Sequence, residues 1–121
     1  MPRNIVKTIE KNFSDLKAGE KMLISSPEKI ADYIKNIPKG SQKNTKQMRL
    51  DLAKEMNADN TCPVTTGIFL RVAIQDHLED HRIIDESLPF WRVIDENHRI
   101  VDKLGLSKEE IVSLREKEGL P

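Results

Sequence analysis

The run Gly67-Ile-Phe-Leu-Arg-Val-Ala-Ile74 is apolar almost all the way round a helical wheel, with Arg71 as its one charged member. A helix of that kind is stable in water only where neighbouring elements cover most of its circumference. The chain must therefore build a core around it, and 121 residues are enough for one modest core. Cys62-Pro63 opens the helix with proline at its first position, where the missing N–H costs no hydrogen bond. Beyond Gln75 the sequence turns acidic and polar through Asp76, His77, Glu79, Asp80 and His81.

The covering elements can be read on either side. Ile5, Ile9, Phe13 and Leu16 recur at helical spacing and predict a helix over 4–17 that stops near Gly19. Lys21–Ser25 reads as a short extended segment. Ser26-Pro27-Glu28 predicts a capped helix start, followed by the apolar stripe Ile30, Ile34, Ile37 and ended by Pro38 and Gly40. Asn44 or Thr45 caps a further helix running to about Asn57, with Met48, Leu52 and Met56 on one face, and Asn57–Thr61 is a turn. Pro89–Ile94 and Arg99–Val101 flank a polar Asp95–His98 turn and predict a β-hairpin. Ser107-Lys-Glu-Glu110 is a capping-box pattern opening a last helix that Gly119 closes. The expected fold is mainly α with a small β-hairpin: a winged helix-turn-helix domain over 25–121, preceded by an N-terminal helical extension over 1–24.

Composition narrows the function classes. No apolar run reaches the roughly 18–20 residues needed to cross a bilayer, and no segment reads as a signal peptide. A single cysteine, Cys62, rules out an internal disulfide, and the expected location is cytoplasmic. Net charge is zero, but residues 1–60 carry 12 Lys/Arg against 8 Asp/Glu, while residues 61–121 carry 8 against 12. Within the basic half, Pro38–Arg49 holds Lys39, Lys43, Lys46 and Arg49 with no acid, a pattern that suits phosphate contacts.

Three landmarks in order carry a resemblance. Ile37-Pro-Lys-Gly40 ends a helix, a glycine-containing helix follows a short turn, and Pro89-Phe-Trp-Arg-Val-Ile94 comes later, with Lys117-Glu-Gly119 near the end. Over roughly residues 24–120 the chain resembles the C-terminal DNA-binding domain of the alkylguanine-DNA alkyltransferases, which carry Ile-Pro-x-Gly, Pro-Cys-His-Arg-Val-Ile and a terminal Glu-Gly. The acceptor cysteine and its histidine correspond to Phe90 and Trp91. Neither side chain is a thiolate or a base, so the family's alkyl transfer has no chemistry here. The family's base-displacing arginine corresponds to Val64 and its nucleotide-rotating tyrosine to Thr45. Alkyltransferase-like proteins that lack the cysteine keep the histidine and flag lesions for excision repair; this chain departs further. The resemblance implies a non-catalytic, monomeric relative in DNA repair or damage sensing, with no cofactor.

On this reading Lys39, Lys43, Lys46 and Arg49, with Thr45, grip the phosphates of double-stranded DNA. Thr65, Arg71 and Gln75 meet the groove on the helix face opposite Gly67, Leu70, Ile74 and Leu78, and Arg92 and Arg99 come from the wing. Phe90 and Trp91 occupy any base-contacting pocket, Trp91 either as a stacking platform or as a packing aromatic. Ile68 and Val72 share the groove-facing side and offer an alternative, a protein-docking surface. Asp76, Glu79 and Asp80 repel phosphate, so binding is expected to be weakly specific. Cys62 reads as a small buried hydrophobe, His77 and His81 as a solvated helix end without a third metal ligand, and His98 as an exposed turn residue.

Overall fold

Where sequence patterns and long-range pairing compete for the N-terminal segment, pairing wins. The structure, a computed structural model, describes residues 4–81 and 87–120. Ile5–Thr8 is a strand, β1, and Lys21–Ile24 a second, β2, paired antiparallel with Ile5 opposite Ile24 and Thr8 opposite Lys21. The helix expected over 4–17 is thus corrected to a strand and a turn. Ile5, Val6, Thr8 and Ile9 are β-branched and fit a pleated ladder better than a helix. The connection is built from turn chemistry: Asn12 Oδ1 accepts from Ala18 N–H at 2.8 Å, and Glu20 Oε1 from Lys17 N–H at 2.6 Å. The extended reading of 21–25 agrees with β2.

The helix starts follow their caps. Ser26 Oγ accepts from Lys29 N–H at 3.1 Å and opens α1 (Pro27–Lys35). Asn44 and Gln47 form a reciprocal capping box that opens α2 (Thr45–Glu55). The turn expected over 57–61 contains a further two-residue strand, β3 (Asn60–Thr61), parallel to β2, so the sheet is mixed with order β1-β2-β3. α3 (Pro63–His81) follows, and α1 packs along it. Leu70 and Ile74 of α3, Ile30 and Ile34 of α1, Met48 and Leu52 of α2 and Leu23 of β2 are fully buried in one core. The molecule is mainly helical with one small sheet, and among the described residues no helix is long and apolar enough to cross a membrane.

The hairpin expected at 89–101 does not form. Phe90–Arg92 is a 3-10 turn, and Ile100–Lys103 is one short helix, α4. The reason lies in burial. Phe90, Trp91, Arg92, Val93 and Ile94 are all buried, whereas a strand covered on one face would expose every second residue. The carbonyls that a partner strand would bind are taken from elsewhere: Arg115 donates to Trp91 O at 2.7 Å, and Lys43 N–H to Arg92 O at 2.9 Å.

The last helix, α5 (Lys108–Lys117), opens with the expected Ser107/Glu110 capping box. Gly119, at φ +71°, closes it in a Schellman motif: Gly119 N–H donates to Glu116 O and Leu120 N–H to Arg115 O. This ending sets the Glu118 side chain, 3% exposed, against the 3-10 turn. Arg92 Nε and Nη2 donate to its two oxygens at 2.8 Å each, Trp91 Nε1 donates at 2.8 Å, and Gly40 N–H at 3.1 Å. Arg92 Nη1 also donates to Ile37 O. Ile37–Gly40, Trp91–Arg92 and Glu118 therefore meet at one buried ion pair. The Arg92 bonds, joined by those from Gly40 and Trp91, outweigh burial and pull the Glu118 carboxyl from 4.5 down to about 2.

A carboxyl depressed in the folded state stabilises the fold above its unfolded pKa, and that stabilisation disappears as pH falls through the folded value. Urea unfolding should thus show on the order of 3 kcal/mol lost between pH 4.5 and 2 through Glu118. Glu118→Gln should remove that part of the acid dependence. At pH 7 the same variant should be roughly 3–5 kcal/mol less stable, because Arg92 is left buried without its counter-ion. Equal acid dependence in both proteins would show that the pair does not carry it.

Candidate nucleic-acid interface

Two buried hydrogen bonds tie the middle of α2 to β3 and fix where α3 begins. Thr61 Oγ1 donates to Arg49 O at 2.6 Å, and Arg49 Nε donates to Thr61 O at 2.9 Å. Cys62 N–H then continues the sheet by donating to Leu23 O at 2.8 Å, and Thr66 Oγ1 donates back to Cys62 O at 2.6 Å inside the first turn of α3. With those positions set, the first turns of α2 and α3 face a common cleft of about 210 Å³, closed on its third side by the loop before α4. Thr45, Lys46 and Arg49 come from α2, Pro63, Thr66 and Gly67 from α3, and His98 and Arg99 from the loop.

Three cationic side chains line the cleft, of which Arg49 is neutralised by Asp15. None of its lining residues is acidic, Lys46 and Arg99 are exposed, and the N-terminal ends of two helices add partial positive charge. His98 contributes no charge at neutral pH. Burial holds its imidazole below the usual 6.5 and Arg99 pushes the same way, against the opposing pull of Asp95. Ile100 N–H donates to His98 Nδ1 at 3.3 Å, which helps fix the orientation of the ring. The Thr45 hydroxyl, the Lys46 ammonium and the Arg99 guanidinium are donor groups that border the cleft.

The residues expected to grip DNA divide into three groups. Thr45, Lys46 and Arg99 come together at the cleft. Arg49 and Arg92 do not serve as phosphate contacts, which corrects the expectation for both. Arg49 is 9% exposed and gives both terminal nitrogens to Asp15 at 2.7 and 2.9 Å, and Arg92 is held by Glu118. Arg49 in turn keeps the Asp15 carboxyl below its ordinary range. Phe90 and Trp91, expected at a base-contacting pocket, are 0% and 3% exposed and meet edge-to-face with ring centroids 5.5 Å apart. Of the two readings of Trp91, the packing aromatic is the one the structure contains. Lys39 and Lys43 are exposed, and Lys43 Nζ stands 3.9 Å from Asp51, which also accepts from Tyr33 Oη. The stretch that is acid-free in sequence thus acquires Asp15 and Asp51 in space.

The proposed groove face of α3 also divides. Arg71, Val72 and Gln75 are half-buried, while Val64 and Ile68 are exposed at 56% and 45%. Thr65 lines a separate apolar groove beside β1, and its hydroxyl is enclosed there without a hydrogen bond. His77, expected in a solvated helix end, is buried. The side chain of His81 lies outside the described residues, and among these no cluster of metal-ligating residues occurs. Cys62 is 4% exposed among Ile9, Leu16 and Met22.

Sequence reasoning missed Thr66, Gly67 and His98. The sequence pattern places Gly67 on the packed side of α3 with Leu70 and Ile74, and His98 in an exposed turn. A side chain's place in a cleft made by three distant segments leaves no local signature. A Cβ on Gly67 would meet nothing within 4 Å, so its missing side chain widens the cleft rather than permitting a helix contact.

Gly67→Ala should accordingly fold normally and gain roughly 0.5–1 kcal/mol in urea unfolding, the ordinary helix-interior advantage of Ala. A loss of stability would mean that the glycine is needed for packing. No protein-family model, curated protein or solved structure matches this chain, so its residues carry the functional argument by themselves.

Proposed function

We propose that the chain is a non-catalytic, double-stranded-DNA-binding helix-turn-helix protein, built on a scaffold related to the alkylguanine-DNA alkyltransferases and acting in DNA repair or damage sensing. The observation that carries the reading is the acid-free cleft in which Thr45, Lys46 and Arg99 converge at the first turns of α2 and α3. Backbone phosphate is the duplex group that such a set of donors fits. Lys46 and Arg99 hold adjacent phosphates, Thr45 adds a hydroxyl donor, and Lys39 and Lys43 extend the basic margin. α3 then lies toward the major groove, with Arg71 and Gln75 on its flank and the exposed Val64 and Ile68 available to thymine methyl groups. No bond is made or broken on this reading, since Phe90 and Trp91, which stand where the family has its nucleophile and base, carry no such group.

Few cationic contacts and the acids at the far end of α3 imply weak, salt-sensitive binding. Two or three neutralised phosphates correspond to a slope of roughly −2 to −3 in log affinity against log salt. Fluorescence anisotropy with a labelled duplex, with and without one alkylated guanine, at two salt concentrations tests the assignment. Lys46→Glu and Arg99→Glu should each weaken binding several-fold and lower the salt slope by about 1. Tighter binding to the alkylated duplex would add lesion recognition. Absence of binding at low salt, or binding indifferent to both substitutions, would end the assignment.

A further inference from the structure

β1 forms one edge of the sheet. Ile9 N–H donates to Glu20 O at 3.0 Å, and the alternation of an antiparallel ladder then turns the backbone groups of Ile5, Lys7 and Ile9 toward β2. The N–H and C=O of Val6 and Thr8 point the other way, and among the described residues no hydrogen bond reaches them. The strand is exposed at all four residues, with Ile5 at 51% and Val6 at 38%. Beside it lies an open groove of about 860 Å³ floored by Ile9, Met22 and Ile24 and rimmed by Phe13 and Val64. Six large apolar side chains are exposed among the described residues, and four of them, Ile5, Val6, Phe13 and Val64, belong to this strand or groove. The opposite edge is not extensible in the same way, because β3 has two residues and runs through Cys62 straight into α3.

We propose that β1 pairs antiparallel with β1 of a second copy about a two-fold axis at Val6, giving a closed dimer with a six-stranded sheet. In this register Val6 faces the partner's Val6, Thr8 faces the partner's Asn4, and Ile5 lies against the aliphatic stem of the partner's Lys7. The free backbone groups of Val6 and Thr8 then all find partners. Moving the axis to Lys7 would set two ammonium groups face to face. A shift of one residue would offer Val6 to the partner's Lys7, whose backbone groups are already bonded to β2. The segment Asn4-Ile-Val-Lys-Thr8 is polar at both ends and apolar at its centre, so it complements its own reversed copy. An isologous pairing also uses the same edge twice and leaves no edge for a third chain, which separates a dimer from a fibre.

Sedimentation of the full chain across the micromolar range tests this. The expected result is a mass that rises with concentration from 13.9 kDa toward twice that value. Val6→Pro deletes an N–H that points away from β2, so circular dichroism should be unchanged while the protein sediments as a monomer throughout. Val6→Cys should form a disulfide-linked dimer under mild oxidation, because directly opposed hydrogen-bonded residues lie about 5.5 Å apart between Cα atoms. Thr8→Cys should not, since it faces the partner's Asn4. A monomer at every concentration, a dimer that survives Val6→Pro, or preferential crosslinking through Thr8→Cys would each overturn the proposal. None of these readouts depends on DNA binding.

Discussion

Glu118 receives four hydrogen bonds from two segments far from it in sequence: one from Gly40, 78 residues away, and three from Trp91 and Arg92, 27 and 26 residues away. Without that carboxylate the loop after α1, the 3-10 turn and the end of α5 would lose the one group all three share, and would keep only pairwise bonds such as Arg92 to Ile37 O and Arg115 to Trp91 O. A buried ion pair is a weak source of net stability, because desolvation offsets much of its attraction. Its directionality is another matter. A bidentate guanidinium accepts one approach of the carboxylate, and Gly40, in the left-handed region at φ +82°, donates its N–H to the same group. The pair defines how the three segments meet, and the apolar core fills in around that arrangement.

Among the described residues, Arg92 is one of three buried arginines that connect segments of backbone. Arg115 reaches Trp91 O and Ile94 O and also bonds Gln42, and Arg49 joins Asp15 to the carbonyl of Thr61. In each case the guanidinium satisfies carbonyls that no strand or helix partner reaches, which lets irregular segments be buried at all. Charge at these positions serves the interior. The cations left to solvent at the α2–α3 cleft are correspondingly few, and this is why the reading as a DNA-binding surface rests on Lys46 and Arg99 rather than on the whole basic stretch.

Elements defined by local chemistry were legible. The caps at Ser26, Asn44 and Ser107 and the proline at Pro63 mark helix starts with short-range hydrogen bonds, so a few adjacent residues contain the whole signal. Two segments were misread, for opposite reasons. Ile5, Ile9, Phe13 and Leu16 have helical spacing by coincidence, and a strand wins because Met22–Ile24 is available to pair with it. Pro89–Ile94 has strand-like composition, but its Trp91 and Arg92 carbonyls are taken by Arg115 and Lys43 and those of Pro89 and Phe90 by the turn itself. Of the candidate site, exposed lysines could be counted from sequence. The difference between Arg99, open at the cleft, and Arg92, buried on a glutamate, could not, because it depends on where α5 ends.

The first two turns of α3 belong to two surfaces at once. Pro63, Thr66 and Gly67 line the basic cleft, while Val64 and Thr65 line the apolar groove beside β1. Successive helical residues are separated by about 100°, so two neighbouring faces of a single turn can serve different ligands. Cys62 N–H fastens this turn to the carbonyl of Leu23. Any shift of β2 is therefore transmitted to the residues that floor the cleft. If β1 is clamped between β2 and a second copy, the sheet gains ladder hydrogen bonds and the start of α3 is held more firmly. Were both proposals to hold, dimerisation and anion binding would be coupled through one backbone hydrogen bond, the dimer being the form in which the cleft is better preorganised.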